Sequence, residues 1–259
     1  MLLAVDIGNT NIVLGVFDGE KLKATWRMAT DVHEMSDEYA ALLLTLLQHE
    51  GLKVSDINAV ALCSVVPPLL RPWDELCQRY LHTEPLVIEP GVKTGVRIRM
   101  DNPREVGTDR IVNAAAAHHL YGGALIIIDM GTATTFDVVS KEGDYIGGAI
   151  APGIAISAEA LYTRTSALPR VGLVRPKYAI GSNTVNAMQS GIVFGYVGLI
   201  EGIVARIDQE LGEKALVVAT GGYAGLIAKE TKAIDKVEPD ITLVGLRLIY
   251  EMNQSEPRR

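Results

Sequence analysis

The sequence predicts an α/β protein built as two similar halves, on three observations. The stretch LLAVDIGNTNIVLGVFDG, from Leu2 to Gly19, returns in outline as LIIIDMGTATTFDVVSKEG from Leu125. Each copy is an apolar strand, an Asp, an apolar residue, a Gly, a small polar cluster and a second strand. Asp129 follows Asp6 by 123 positions, about half the chain, which marks duplication of a whole domain and not a short solenoid repeat. Hydrophobic residues make up 48% of the chain and aromatics only 5%, as an aliphatic core of helices and parallel strands requires. At 259 residues the chain suits two compact domains of roughly 100–150 residues, and it can bury a core without disulfide or metal staples.

Taken in order, Leu2–Val5, Ile12–Phe17 and Lys21–Met28 read as three strands, with tight turns at Gly8-Asn9 and Asp18-Gly19. Ser36 is expected to cap a helix whose apolar stripe is Tyr39, Leu42, Leu43, Leu46 and Leu47. The apolar run Asn58–Val66 suits a strand buried on both faces, and Pro67-Pro68 ends it. A helix from about Leu69 to Leu81 and a short strand, Pro85–Ile88, follow. Gly91 to Arg104 is a polar connection with some strand character, and the domain boundary is placed at 105/106. The next helix, behind Thr108, carries Ile111, Val112, Ala114, Ala115 and Leu120. The cycle then restarts with strands Ala124–Ile128, Thr135–Val139 and Tyr145–Ala151. A helix runs from Pro152-Gly153 to about Leu161, and a long helix from about Asn183 to Leu211. The strand Ala215–Ala219, a helix after Gly221-Gly222 and a last helix capped by Asp240 complete the pattern.

Several function classes lack support. The net charge of −7 argues against non-specific binding to nucleic acid. No apolar run is expected to reach the ~18 residues of a membrane span, because Asp6 and Asp129 interrupt the best candidates. No basic segment opens the chain, so a signal peptide is not expected and the protein reads as cytoplasmic, with no membrane partner. Asn253-Gln254-Ser255 spells a glycosylation sequon that this reading leaves unused. Cys63 and Cys77 do not make a disulfide framework or a zinc site. There is no G-x-x-x-x-G-K-[ST], no G-x-G-x-x-G after a strand, no H-E-x-x-H and no G-x-S-x-G. His118 and His119 are neighbours on a helix and point about 100° apart, which suits a structural or surface role better than a shared metal.

Two segments carry chemistry. In the first turn, Asp6 stands at the end of a strand and Gly8 is expected to turn with φ > 0 and to admit a bulky ligand. Asn9, Thr10 and Asn11 then offer backbone N–H groups and small donors suited to phosphate oxygens, with the carboxylate beside them suited to Mg²⁺. One copy alone reads as an ordinary β-hairpin turn. Two copies in the same register read as two jaws on a polyphosphate. The second segment is DNPREVGTDRIVNA, Asp101 to Ala114, where Gly107-Thr108-Asp109-Arg110 marks a loop becoming a helix with Thr108 as its cap. A helix start favours an anion, Arg110 offers a planar fork for a carboxylate, and Asp109 could take a proton from a substrate hydroxyl. A simple capped helix with an Asp in its first turn fits the same residues.

Together DIGNTN, DNPREVGTDR, DMGTATT and GGAIAPG, in this order and supported by the final TGGYA and DITLVGL, resemble type III pantothenate kinase. The resemblance runs over essentially the whole chain. It implies two ribonuclease-H-like (actin-like ATPase) domains, mixed sheets flanked by helices, of the acetate and sugar kinase/heat-shock protein 70/actin superfamily. It implies ATP-dependent phosphorylation of pantothenate, the first step toward coenzyme A. ATP would lie against Asp6, Ile7, Gly8, Asn9, Thr10, Asn11, Ile12 and Val13, with Thr132 reaching the phosphates from the second turn. Asp6 would stand near Mg²⁺, and Asp129 at a monovalent cation, K⁺ or NH₄⁺. Gly107, Thr108, Asp109 and Arg110 would hold pantothenate, with Asp109 as general base; Arg110 would meet the pantothenate carboxylate or a phosphate. Thr184 would add a substrate contact, and Gly221 and Gly222 would approach the nucleotide. Where the family usually has an aromatic residue before Asp-Asn-Pro this chain has Met100, a flexible, polarizable filler of the same pocket.

The long helix contains Gly191, Gly195, Gly198 and Gly202, each costing about 1 kcal/mol relative to Ala in a helix interior. Close packing within the domain would offset that cost, and so would the homodimer that the resemblance implies. Two other functions remain open on sequence alone: a kinase of the same superfamily with another small acceptor, and a non-catalytic nucleotide-binding regulator like the Bvg accessory factors.

Overall fold

The structure is a computed structural model and describes residues 1–254; Ser255 of the sequon lies outside them. Its strands are β1 (Leu2–Ile7), β2 (Asn11–Asp18), β3 (Lys21–Ala29), β4 (Ala59–Ser64), β5 (Leu86–Val87) and β6 (Arg97–Ile98). β7 (Leu125–Met130), β8 (Ala133–Val139), β9 (Asp144–Pro152), β10 (Leu216–Thr220) and β11 (Lys236–Val237) follow. The helices are α1 (Ser36–His49), α2 (Leu70–Tyr80), α3 (Thr108–Tyr121), α4 (Ile154–Thr163), α5 (Thr184–Leu211), α6 (Ala224–Ile227) and α7 (Ile241–Gln254).

They form two compact units whose division is not linear along the chain. The first takes Met1–Arg97, Asp101–Ala116 and the segment beginning at Ile241; the second takes Ile98–Met100 and Ala117–Asp240. A single boundary at 105/106 therefore does not describe the packing. The apolar residues of α7 and of the front of α3 complete the core of the first unit, so both return to it.

In the first unit the sheet order is β3-β2-β1-β4-β5, antiparallel from β1 to β3 and parallel from β1 to β5. Period-two alternation gives the sheet two apolar faces. Leu3, Val5 and Ile7 pack with Tyr39 and Leu43 of α1 and with Trp73 and Leu76 of α2. Leu2 and Ala4, with Ala59, Ala61 and Cys63, pack with Val112 of α3 and with Leu243 and Leu246 of α7. Asp6 continues the second series and so projects on the α3 side. The small residues there admit helices closely: a Cβ on Gly245 of α7 would lie 2.4 Å from the carbonyl oxygen of Val112.

In the second unit the order β9-β8-β7-β10-β11 repeats that arrangement, with β6 added beside β9. β1 and β7 share the same burial sequence along their length. Each sheet also has a register break at the same place, between Val16 and Phe17 and between Val138 and Val139. Ile126, Ile128, Met130 and Phe136 pack against a stripe of α5 formed by Met188, Ile192, Tyr196 and Ile200, four residues apart.

Some expectations are corrected. The cap of α1 is Met35, whose backbone N–H donates to Glu38 Oε2 at 2.7 Å, and Ser36 is buried inside the helix. Leu42 and Leu120 lie outside their expected stripes, 47% and 45% exposed. By length and composition α5 is apolar enough to cross a membrane. Gln189, Ser190 and Glu201 interrupt its apolar run without lowering the average far, so a search for unbroken runs passes over it. Its buried stripe makes it the core helix of the second unit.

Gly245→Ala must push α7 off the Val112 carbonyl. An overpacking loss of about 1–3 kcal/mol is expected, read as a lower midpoint in thermal or urea unfolding followed by circular dichroism.

Candidate active site

In the first unit the site grows out of one pairing. β1 and β4 run parallel with Asp6 opposite Cys63 and Ile7 opposite Ser64. The Cys63 thiol donates to Asp6 Oδ1 at 3.3 Å, and the Val65 N–H donates to the Ile7 carbonyl at 3.0 Å. The Ser64 carbonyl accepts from the Thr108 hydroxyl at 3.1 Å, which fastens the start of α3 to the same strand end. The structure thus brings Asp6 and the Gly107–Arg110 segment to one edge of the sheet.

The turn after Asp6 is held by backbone bonds. Gly8 N–H donates to the Asn11 carbonyl at 3.0 Å, while Thr30 donates its hydroxyl to the Gly8 carbonyl and its N–H to the Thr10 carbonyl. Asn9, Thr10 and Asn11 are exposed; Ile7 and Ile12 are buried and Val13 is half-buried. Gly8 does not have the positive φ expected of it. Its small size matters through closeness instead, because a Cβ would lie 3.0 Å from the Asn11 carbonyl oxygen. Ile7 and Ile12, being core residues, contribute backbone alone to anything bound at the turn.

At the start of α3 the Asp109 carboxylate folds back over Gly107: a Cβ there would lie 2.5 Å from Asp109 Oδ1. That oxygen accepts the Arg110 N–H at 2.8 Å. Burial pushes the Asp109 carboxyl above the ordinary carboxylate range, with the Arg110 N–H and the Arg110 charge pulling part of the way back. Thr108 opens the helix with its hydroxyl turned to Ser64, a tie to β4 that was not foreseen. Burial, then the charges of Asp6 and Asp109, push the Cys63 thiol well up, so it stays protonated as a donor.

In the second unit, Asp129 stands opposite Thr135 of β8 and Thr220 of β10. The turn that follows is pressed from two sides by glycines. A Cβ on Gly153 would lie 2.2 Å from the Thr132 carbonyl oxygen, and one on Gly221, at φ +91°, 2.6 Å from the Met130 carbonyl carbon. Gly221 is thus required by backbone packing, whereas a Cβ on Gly222 would meet open space. Thr132 is exposed at the tip, and its carbonyl accepts the Gly153 N–H at 3.1 Å. Met100 also belongs to this unit, half-buried beside Arg99, which pairs with Asp144 at 2.7 Å and donates its N–H to the Tyr145 carbonyl. Thr184 is exposed at the start of α5, one residue after the Asn183 cap, and lines a cavity of about 760 Å³ with Leu161, Leu168, Gly191, Gly195 and Tyr196. Cys63 and Ser64 are site-building residues that sequence motifs did not single out, while Gly153, the last residue of GGAIAPG, gains its physical reason from the closeness of the Thr132 carbonyl. Only strand register, invisible in one sequence, reveals the first two.

Comparison with known proteins follows this geometry. The family model described as type III pantothenate kinase matches residues 2–206. A type III pantothenate kinase of Dehalococcoides mccartyi is 60% identical over 254 residues, covering 98% of each chain. One of Moorella thermoacetica is 55% identical over 253 residues, 98% of this chain and 100% of that one. Among solved structures, a Campylobacter jejuni protein described as a Baf family transcriptional activator superposes with a TM-score of 0.63 at 19% identity, over 98% of this chain and 100% of that one. The ROK hexokinase of Thermus thermophilus superposes with a TM-score of 0.52 at 15% identity, over 97% and 99%. The two structural likenesses concern the fold.

The raised Asp109 carboxyl has a sign. Its protonated form is favoured in the folded state, so the stability it contributes is complete below the unfolded pKa of about 3.9 and is lost as pH rises through the higher folded value. Asp109→Asn does not titrate. The variant should melt at or above the wild-type temperature at pH 7, with the difference closing as pH falls; a calorimetric pH series reads it.

Proposed function

The chain belongs to the type III pantothenate kinase family, within the acetate and sugar kinase superfamily, and on that premise we propose that it transfers the γ-phosphoryl group of ATP to the primary hydroxyl of pantothenate. The product is 4'-phosphopantothenate, the first intermediate of coenzyme A biosynthesis. The observation that carries this reading is the half-buried Asp109, its carboxyl raised in pKa and its helix start fastened by Thr108 to the strand end that also holds Asp6.

Phosphoryl transfer asks mainly for positioning and charge neutralisation. The Asp6–Val13 turn and Thr132 are proposed to hold ATP, and Gly107, Thr108, Arg110, Met100 and Thr184 to hold pantothenate. Asp109 Oδ1 is taken by the Arg110 N–H, which leaves Oδ2 to accept the hydroxyl proton as the oxygen attacks the γ-phosphorus and ADP departs. Among the described residues no three His, Cys, Asp or Glu side chains form a metal cage. A lone carboxylate fits Mg²⁺ all the same, because that ion commonly keeps waters and substrate phosphates as its other ligands. Asp6 would hold Mg²⁺, and Asp129, beside the exposed carbonyl-bearing turn, would hold K⁺ or NH₄⁺. When bound, these cations neutralise phosphate charge. The two free, buried cysteines suit a reducing compartment, and a cytoplasmic location goes with this reading.

A homodimer belongs to the same proposal. Cβ atoms on Gly191, Gly195 and Gly198 would meet nothing of their own chain within 4 Å, so packing within the chain does not offset their cost. Two of them line the apolar cavity along α5, and Tyr162, Tyr178 and Ile180 are 48%, 64% and 89% exposed. A second copy laid along α5 would cover such a surface.

Purified protein with pantothenate, Mg²⁺–ATP and K⁺ should form phosphopantothenate; folded protein that forms none would sink the reading. Asp109→Asn should lower kcat by about 10²–10⁴-fold, and wild-type kcat should fall on the acid side at a pH above the ordinary carboxylate value. Near-normal turnover in that variant would remove Asp109 as the base. For the dimer, Gly195→Leu should shift sedimentation toward the monomer mass; an unchanged dimer would place the interface elsewhere.

A further inference from the structure

Cys63 lies in none of the sequence motifs, yet its thiol donates to the Asp6 carboxylate. It is fully buried, and Cys77, the other cysteine, sits in the opposite apolar layer of the same sheet. A buried thiol without a nearby thiol partner is poorly placed for nucleophilic or redox work. Its geometry suits another task. The strand register puts it on the same face as Asp6, and its S–H reaches Asp6 Oδ1 at 3.3 Å. The next residue, Ser64, holds Thr108 through its carbonyl. The second sheet offers a parallel: Thr220, also buried and also carrying a donor, stands opposite Asp129 in the same register.

We propose that Cys63 is a positioning residue for the Asp6 carboxylate, its thiol holding Oδ1 and so fixing the orientation in which the carboxylate meets the divalent cation of the nucleotide. Hydrogen bonds behind a metal-binding carboxylate fix its orientation and commonly govern metal affinity by 10–100-fold; a thiol is a weak donor, so a smaller effect is expected here. The inference rests on the assignment of Mg²⁺ to Asp6 in the proposed function.

The test compares Cys63→Ala, Cys63→Ser, Cys63→Thr and Asp6→Asn. Binding of Mn²⁺ in the presence of a non-hydrolysable ATP analogue is read by electron paramagnetic resonance, without turnover, and circular dichroism checks folding. Cys63→Ala should weaken Mn²⁺ binding by about three- to tenfold and raise the Mg²⁺ concentration needed for half-maximal turnover, while KM for pantothenate stays within about twofold. Cys63→Ser, or Cys63→Thr if the serine variant folds poorly, should restore binding to near wild type. Two results overturn the inference alone while Asp6→Asn still loses Mn²⁺: wild-type affinity in Cys63→Ala, or equal losses in the alanine variant and both hydroxyl variants. If Asp6→Asn binds Mn²⁺ normally, the assignment of Asp6 itself fails and the inference falls with it.

Discussion

The parallel pairing of β1 with β4 is the constraint on which the first unit's chemistry depends. A strand interior is a costly place for a carboxylate, and Asp6 is tolerated because it stands one pair from the end of the ladder with a donor beside it. That pairing also decides which side the carboxylate takes. Leu2 and Ala4 share its face, so Asp6 projects toward α3 and away from the packed layer under α1 and α2. A slip of one residue by β1 would turn Asp6 into the aliphatic layer, and the same slip by β4 would instead exchange the faces of Cys63 and Ser64. The Thr108 tie to Ser64 then brings the start of α3 to the same edge. One ladder therefore positions both an acidic turn and a candidate base.

Duplication supplied the frame twice, but the two turns are not copies in their support. The Gly8 turn closes on itself, Gly8 to Asn11, with Thr30, the residue just after β3, bracing it. The later turn is compressed from outside by Gly153 and Gly221, each too close to backbone for any side chain. The neighbouring donors differ as well, a thiol beside Asp6 and a hydroxyl opposite Asp129. Such divergence is what different ligands would select: a divalent cation shared with phosphates needs a directed carboxylate oxygen, whereas a larger monovalent ion tolerates a looser ring of oxygens.

What the sequence made legible follows from where local signals are strong. Asn183 caps α5, and the helix ends at Leu211 before a left-handed Gly212, because capping and chain reversal are encoded by single residues. The repeated Asp–x–Gly turns exposed the duplication, and the matching register breaks in β2 and β8 bear it out. The misses concern information that is not local. Leu42 is a good helix residue whose stripe membership depends on which neighbours arrive. Gly8 looked like a φ requirement and proved a proximity requirement. Cys63 gave no signal at all, since a cysteine in an aliphatic run reads as core until its cross-strand partner is known. The return of α7 to the first unit could not be seen from order along the chain either.

Asp109 shows why the site is held by so many small devices. The base role proposed for Asp109 would need a carboxyl that is ionised yet not too comfortable, and burial at the head of α3 moves its pKa in the useful direction. The same burial disfavours the charged form that the proposed role would use, so the fold must oppose it with something that does not quench a base. A full ion pair on both oxygens would return the pKa to the low range. Backbone N–H donation, the Arg110 N–H on Oδ1 foremost, together with the Arg110 charge is a milder compromise: it fixes the carboxylate and offsets only part of the effect of burial. Gly107 is then forced, because the carboxylate can fold back only over a residue without a side chain. The logic of Gly-Thr-Asp-Arg is thus steric first, then electrostatic: glycine makes room, threonine anchors to β4, aspartate carries the charge, and the arginine backbone and charge temper it.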